Sequence, residues 1–113
     1  MPPSEPRMTL TTQLVLRALL EDPTRERYGL ELCAAAGLPS GTIHPILARL
    51  ERVGWLDSHW EDADPAREGR PRRRYYRLNP DGAEKARDAI ARAHTSASGL
   101  TRLRPGLSPG GAM

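Results

Sequence analysis

Apolar positions recur with a helical period through roughly the first half of this chain, alternate strictly over a middle stretch, and return to a helical period near the end. Leu10, Leu14, Val15, Leu16, Ala18, Leu19 and Leu20 predict a first helix from about Leu10 to Glu21. Thr9 and Thr11 offer caps, and Pro23 discourages continuation. That stripe is too wide for a single face, which predicts burial on two sides, with a second subunit as a candidate for one of them. Tyr28, Leu32 and Ala36 share one face of a second helix, Tyr28 to Ala36, closed by Gly37. After the turn Gly37-Leu38-Pro39, Ser40 is expected to cap a third helix that reaches about Val53 and stops at Gly54.

Ile43, Ile46, Leu47 and Leu50 form the apolar face of this third helix, leaving Thr42, His44, Pro45 and Arg49 for the other side. Pro45 removes one hydrogen bond and crowds the carbonyl four residues earlier, which belongs to Gly41, so a distorted first turn is expected. Leu56, Ser58 and Trp60 then alternate with Asp57, His59 and Glu61, the pattern of a strand. A loop from Asp62 to Arg72 leads to a second strand, Arg74 to Leu78, with Tyr76 and Leu78 facing in and Arg73, Tyr75 and Arg77 facing out. Asn79-Pro80 opens a last helix with the stripe Ala83, Ala86, Ala89, Ile90 and Ala93, expected to end near Ala93 or a little beyond. Small residues permit close approach of another helix, so this stripe reads as a dimer seam.

With 113 residues, the chain has room for one core. Residues 1–8 read as a loose arm, 9–95 as the folded domain, and 96–113, rich in Gly and Pro, as a disordered tail. Only 38% of the residues are hydrophobic and Phe is absent, so a thin core is expected, and dimerisation would complete its burial.

Charge adds a direction to the picture. The net charge is +3, but residues 67–77 hold six Arg against Glu68 alone, so the positive field is focused on the predicted hairpin loop. A focused basic patch suits a polyanion.

The element order is helix, helix, three-residue turn, helix, hairpin, helix. This is a mostly α fold with a small β-hairpin: a winged helix-turn-helix with a three-helix core, a two-stranded wing and a C-terminal dimerisation helix. In that geometry the third helix enters the DNA major groove and the wing reaches the neighbouring backbone or minor groove. Ser40, Gly41 and Thr42 lie at a helix N-terminus, where free N–H groups and hydroxyls suit a phosphate or a base edge. Thr42, His44, Pro45 and Arg49 are candidates for the groove side, and Arg70, Arg72, Arg73 and Arg74 for phosphates or a narrow minor groove. Arg74, alternating with Tyr76, has the alternative of lying over the core. Tyr75 is a candidate phosphate donor beside the arginines. Leu10, Leu14, Ala86, Ala89, Ile90 and Ala93 are the dimerisation candidates.

Tyr28-Gly29-Leu30-Glu31-Leu32, Ser40 through Glu51, Gly54-Trp55-Leu56, and Gly69-Arg70-Pro71-Arg72 running to Tyr75-Tyr76-Arg77-Leu78 together resemble the PadR family of transcription regulators. The resemblance covers roughly residues 9 to 93. It implies a dimeric winged-helix DNA binder, commonly a repressor, with two-fold contacts made by terminal helices. His44 departs from the family's usual Tyr before the proline, and the expected short last helix points to the branch without a long C-terminal domain.

Other chemistry finds little support. His44, His59 and His94 have no metal-ligand spacing with the lone Cys33, which reads as a small buried hydrophobe. Trp55, Trp60 and Tyr76 read as core and interface residues. No catalytic motif, cofactor motif, apolar leader or bilayer-length apolar run stands out, so a non-enzymatic cytoplasmic protein without membrane contact is expected. The expected partners are double-stranded DNA and a second copy of the chain, and the sequence names no small-molecule effector. The competing readings are a module that docks an acidic protein through the basic hairpin, and an RNA-binding winged helix.

Overall fold

The computed structural model describes residues 5–103, with the side chains of 96–103 outside the description. Helix α1 spans Leu10–Leu20, and its N-terminus is capped by Thr9, whose hydroxyl accepts the Thr12 N–H at 3.2 Å. Val15, Leu16, Ala18 and Leu19 are buried along it. Strand β1, Arg27–Tyr28, leads directly into α2, Gly29–Ala36. Gly37 ends α2 at φ 69°, a backbone conformation that side chains disfavour, and its N–H bonds the Cys33 carbonyl at 2.9 Å.

Helix α3, Ser40–Arg52, buries Ile43, Ile46, Leu47 and Leu50 against the other helices. Strand β2, Leu56–Trp60, pairs antiparallel with β3, Arg74–Leu78, and the short helix α4, Pro65–Glu68, lies in the loop between them. The sheet has the order β1-β3-β2, so the expected two-stranded hairpin gains a third strand: Arg27 pairs with Tyr76 and Tyr28 with Tyr75.

One core joins these layers. Leu16, Leu32, Leu47 and Leu50 are fully enclosed, and each such side chain stabilises the fold by about 1.5–3 kcal/mol relative to exposure. Tyr76 and Leu78 close the core from the sheet, in agreement with the alternation. Burial pushes the Tyr76 phenol pKa up.

The last helix, α5, spans Pro80–Leu103, so it continues well past the expected end near Ala93. Residues 96–103 belong to this helix, and the rest of the expected tail, 104–113, lies outside the described residues, as do residues 1–4 of the expected arm. At 24 residues α5 is about 36 Å long. Its root is tightly held. Asn79 donates its N–H to the Trp55 carbonyl at 3.1 Å and its Nδ2 to the Gly54 carbonyl at 2.8 Å, while its Oδ1 accepts the Gly82 N–H at 2.7 Å.

Two of the expected dimer-seam residues are corrected by this packing. Ala86 and Ala89 are 0% and 2% exposed within one subunit, because their small side chains let α5 lie close against the chain's own core. Neither has surface left for a partner. Leu14, Ile90 and Ala93 are half-buried, and Leu10 is 72% exposed.

Candidate nucleic-acid interface

The local sequence at the start of α3 leaves its first turn bare. Pro39, not Ser40, is the N-cap residue, and no side chain caps the helix. The Pro39 carbonyl accepts N–H groups from both Thr42 at 3.0 Å and Ile43 at 3.1 Å, a tightened first turn. From there α3 runs unbroken through Pro45. Pro45 is accommodated because its ring lies on the exposed side and Gly41, one turn earlier, has open space around it.

Ser40, Gly41, His44, Pro45 and Arg49 are exposed, and Thr42 is half-buried. Ala48 and Arg52 extend the same solvent-facing side and were absent from the sequence-based candidates. The spacing 41, 45, 48, 52 is the complement of the apolar face and could have supplied them. The polar side of α3 is thus a continuous exposed strip beginning at a helix N-terminus.

The wing is built differently from a free basic loop. Asp64 caps α4 by accepting the Ala66 N–H at 3.0 Å, and α4 ends at Gly69. Glu61 then organises the strand ends. Its N–H donates to the Arg73 carbonyl at 2.7 Å, its Oε1 accepts the Arg73 N–H at 3.2 Å, and both carboxylate oxygens accept from Arg70. The hydrogen bond from Arg70, then that from the Arg73 backbone, hold the Glu61 pKa down at about 2 against the opposing effect of burial. The same pairing raises the Arg70 pKa.

Two of the expected phosphate-binding arginines are therefore already engaged. Arg70 is committed to Glu61, and Arg74 donates to Ser58 Oγ at 2.7 Å and pairs with Glu51 of α3 at 3.5 Å. Arg74 also lies 5.1 Å from the ring centroid of Trp60, which is 59% exposed and so, of the expected core and interface residues, lies outside the core. Arg72 is exposed, with its Nε bonded to the Ala63 carbonyl at 2.8 Å. Arg67 and Arg77 are exposed as well, and both were missed as candidates although they belong to the same basic run.

Arg73 has a distinct setting. Its guanidinium lies 4.1 Å from the centroid of the Tyr28 ring, a cation–π contact that holds it half-exposed. Tyr28 meets Tyr75 edge to face at 5.8 Å, and Tyr75 stacks on His59 at 5.8 Å. These three lie directly across from one another on β1, β3 and β2, so Tyr75, the candidate phosphate donor, is the middle rung of an aromatic ladder. Glu26 hydrogen-bonds His59 at its end.

The residue after Tyr28 links this ladder to α3. Gly29 faces His44, close enough that a methyl built on Gly29 would lie 3.3 Å from His44 Cε1. The exposed strip of α3 and the root of the wing thus adjoin across Tyr28-Gly29.

Residues 15–88, well over half of the chain, match the family model described as the transcriptional regulator PadR-like family. The chain belongs to that family. A search of curated proteins returns no match. Among solved structures, a PadR family transcription regulator from Clostridium difficile is 19% identical, with a TM-score of 0.63 over 84% of this chain and 98% of that one. A PadR-like regulator from Bacillus cereus is 18% identical, with a TM-score of 0.60 over 83% and 90%. BpsR of Bordetella bronchiseptica, whose DNA binding is described as regulated by 6-hydroxynicotinic acid, is 18% identical, with a TM-score of 0.64 over 98% and 76%.

This PadR-like chain therefore has the winged-helix fold and belongs to a family of non-enzymatic DNA-binding transcription regulators. Among the described residues no helix is long and apolar enough to cross a membrane, and no group of His, Cys, Asp and Glu is arranged to hold a metal.

Proposed function

We propose that this protein is a cytoplasmic repressor that binds a pseudo-palindromic operator as a homodimer. Ser40, Gly41, Thr42, His44, Pro45 and Arg49 present the helix that enters the major groove, and Ala48 and Arg52 extend it. Arg72 and Arg73, with Arg67, supply the wing's phosphate contacts. Arg70 and Arg74 act through the shape of the wing, because their charges are spent on Glu61 and Glu51.

The observation that carries the reading is the junction at Tyr28-Gly29, which sets the exposed strip of α3 beside the arginine-bearing strand of the wing. One duplex then meets both.

The dimer is supported by α1 and α5. Leu20, Ile90 and Ala91, together with Arg17, Glu21, Arg87 and His94, line an open groove of about 620 Å³ between the two helices, and Leu10 and Ile90 retain apolar surface. A second copy's terminal helices fill such a groove with matching chemistry, and two-fold symmetry follows from an isologous contact. Two copies of α3 then read half-sites about 10 bp apart.

Selection of bound duplexes from a random pool tests the proposal. A shared motif with two-fold symmetry is expected; a pool that converges on no motif contradicts it.

A further inference from the structure

The contact between Gly29 and His44 assigns a role to a residue that touches no nucleic acid in the proposed arrangement. Gly29 is the first residue of α2, directly after β1. Its surroundings are fixed on both sides. Tyr28 pairs with Tyr75 in the sheet, and its N–H donates to Glu31 Oε1 at 3.2 Å, while Arg25 holds the other Glu31 oxygen at 2.9 Å. The first turn of α2 therefore cannot yield easily.

His44, by contrast, is an exposed side chain on α3. A Cβ on Gly29 would approach its Cε1 to 3.3 Å and its Nε2 to 3.9 Å. The first of these is tighter than ordinary van der Waals contact. The imidazole is the partner that must move.

We infer that Gly29 is a positioning residue for sequence recognition: its lack of a side chain lets the Cε1–Nε2 edge of the His44 ring rest against the first turn of α2 and so sets the orientation in which the imidazole is presented to a base edge. The inference rests on α3 being the groove-reading helix. A hydrogen bond to a base edge is directional, so a ring displaced by a few tenths of an ångström or rotated loses discrimination before it loses affinity for the backbone. Arg73, perched on the adjacent Tyr28, keeps its phosphate contact throughout. Gly29 thereby acts on specificity alone.

The test is a cycle of Gly29→Ala, His44→Ala and the double variant. Each is titrated with the duplex recovered by selection and with a mixed-sequence duplex, and each is thermally melted. Ala at a helix start costs no stability through propensity, so Gly29→Ala is expected to melt at or above the wild-type temperature and to bind mixed-sequence DNA as the wild type does. Its preference for the selected duplex falls about five-fold or more, as for loss of one base contact. His44→Ala loses as much, and the double variant loses no more than His44→Ala alone.

A preference retained in Gly29→Ala, or losses that add in the double variant, overturns the inference. So does a drop in melting temperature that the double variant fails to recover. A wild-type protein with no preference between the two duplexes overturns the operator reading and this inference together, whereas a wild-type preference that survives Gly29→Ala overturns the inference alone.

Discussion

Glu61 and Arg70 face each other across the root of the wing in a two-bond ion pair, Nη1 to Oε1 at 2.8 Å and Nη2 to Oε2 at 3.0 Å. The parallel bonds fix direction as well as distance, so the loop between β2 and β3 is held at its neck. An arginine that looks available in a basic run is here a structural part.

The lowered Glu61 pKa has a consequence for pH. A carboxylate with a folded-state value of about 2 against an ordinary 4.5 stabilises the fold fully above 4.5, and this contribution is lost as pH falls from 4.5 towards 2. Thermal melts of wild type and Glu61→Gln are expected to differ at pH 6, to converge below 4.5, and to coincide near 2. A difference that persists unchanged at pH 2 contradicts the pairing.

Arg73 and Arg70 are expected to separate in salt titrations, although they are neighbours in one basic run. With two copies per operator, Arg73→Ala removes about two phosphate contacts and lowers the slope of log K against log salt by about 2. Arg70→Ala lowers the melting temperature of the free protein, and Glu61→Ala reproduces its effect on DNA binding. Equal slope changes for Arg70→Ala and Arg73→Ala, with equal melts, contradict the division of roles.

Gly82 tests the root of α5. A Cβ there would lie 2.1 Å from the Trp55 carbonyl oxygen, so Gly82→Ala must push the helix off the β2 entrance. A loss of about 1–3 kcal/mol or more is expected, read from the midpoint of urea unfolding. An unchanged midpoint means that α5 is anchored elsewhere.

Leu10 tests the dimer without disturbing the subunit. Its side chain is 72% exposed, so Leu10→Asp leaves the core intact and places a charge on the proposed seam. The sedimentation mass is expected to fall from two chains to one with an unchanged circular dichroism spectrum. A mass unaffected by the substitution removes Leu10 from the seam.

What could be read from the sequence followed local chemistry. The period change at Leu56, the caps around Thr9 and Asn79, and the glycines that end α2 and α3 gave most elements within a residue or two. The misses share a cause. Strand β1 has two residues, too few for any alternation, and exists only because β3 pairs with it. Asp64-Pro65 starts a helix of only four residues, a single turn within a stretch whose Pro65, Gly69 and Pro71 read as loop. The partners of Arg70 and Arg74 lie 9 and 23 residues away, so a run of charges looked free until the fold brought Glu61 and Glu51 to it. Ala86 and Ala89 carried the same ambiguity, because small residues at helical spacing suit a seam and a close-packed core equally.

The most direct measurement is a footprint on the selected duplex, read with probes of both grooves. Two major-groove protections about 10 bp apart, each flanked by a minor-groove or backbone protection that disappears in Arg73→Ala, are the expected result. Protection confined to one groove, or a single unpaired half-site bound by one chain, contradicts an operator gripped by α3 and the wing of two subunits.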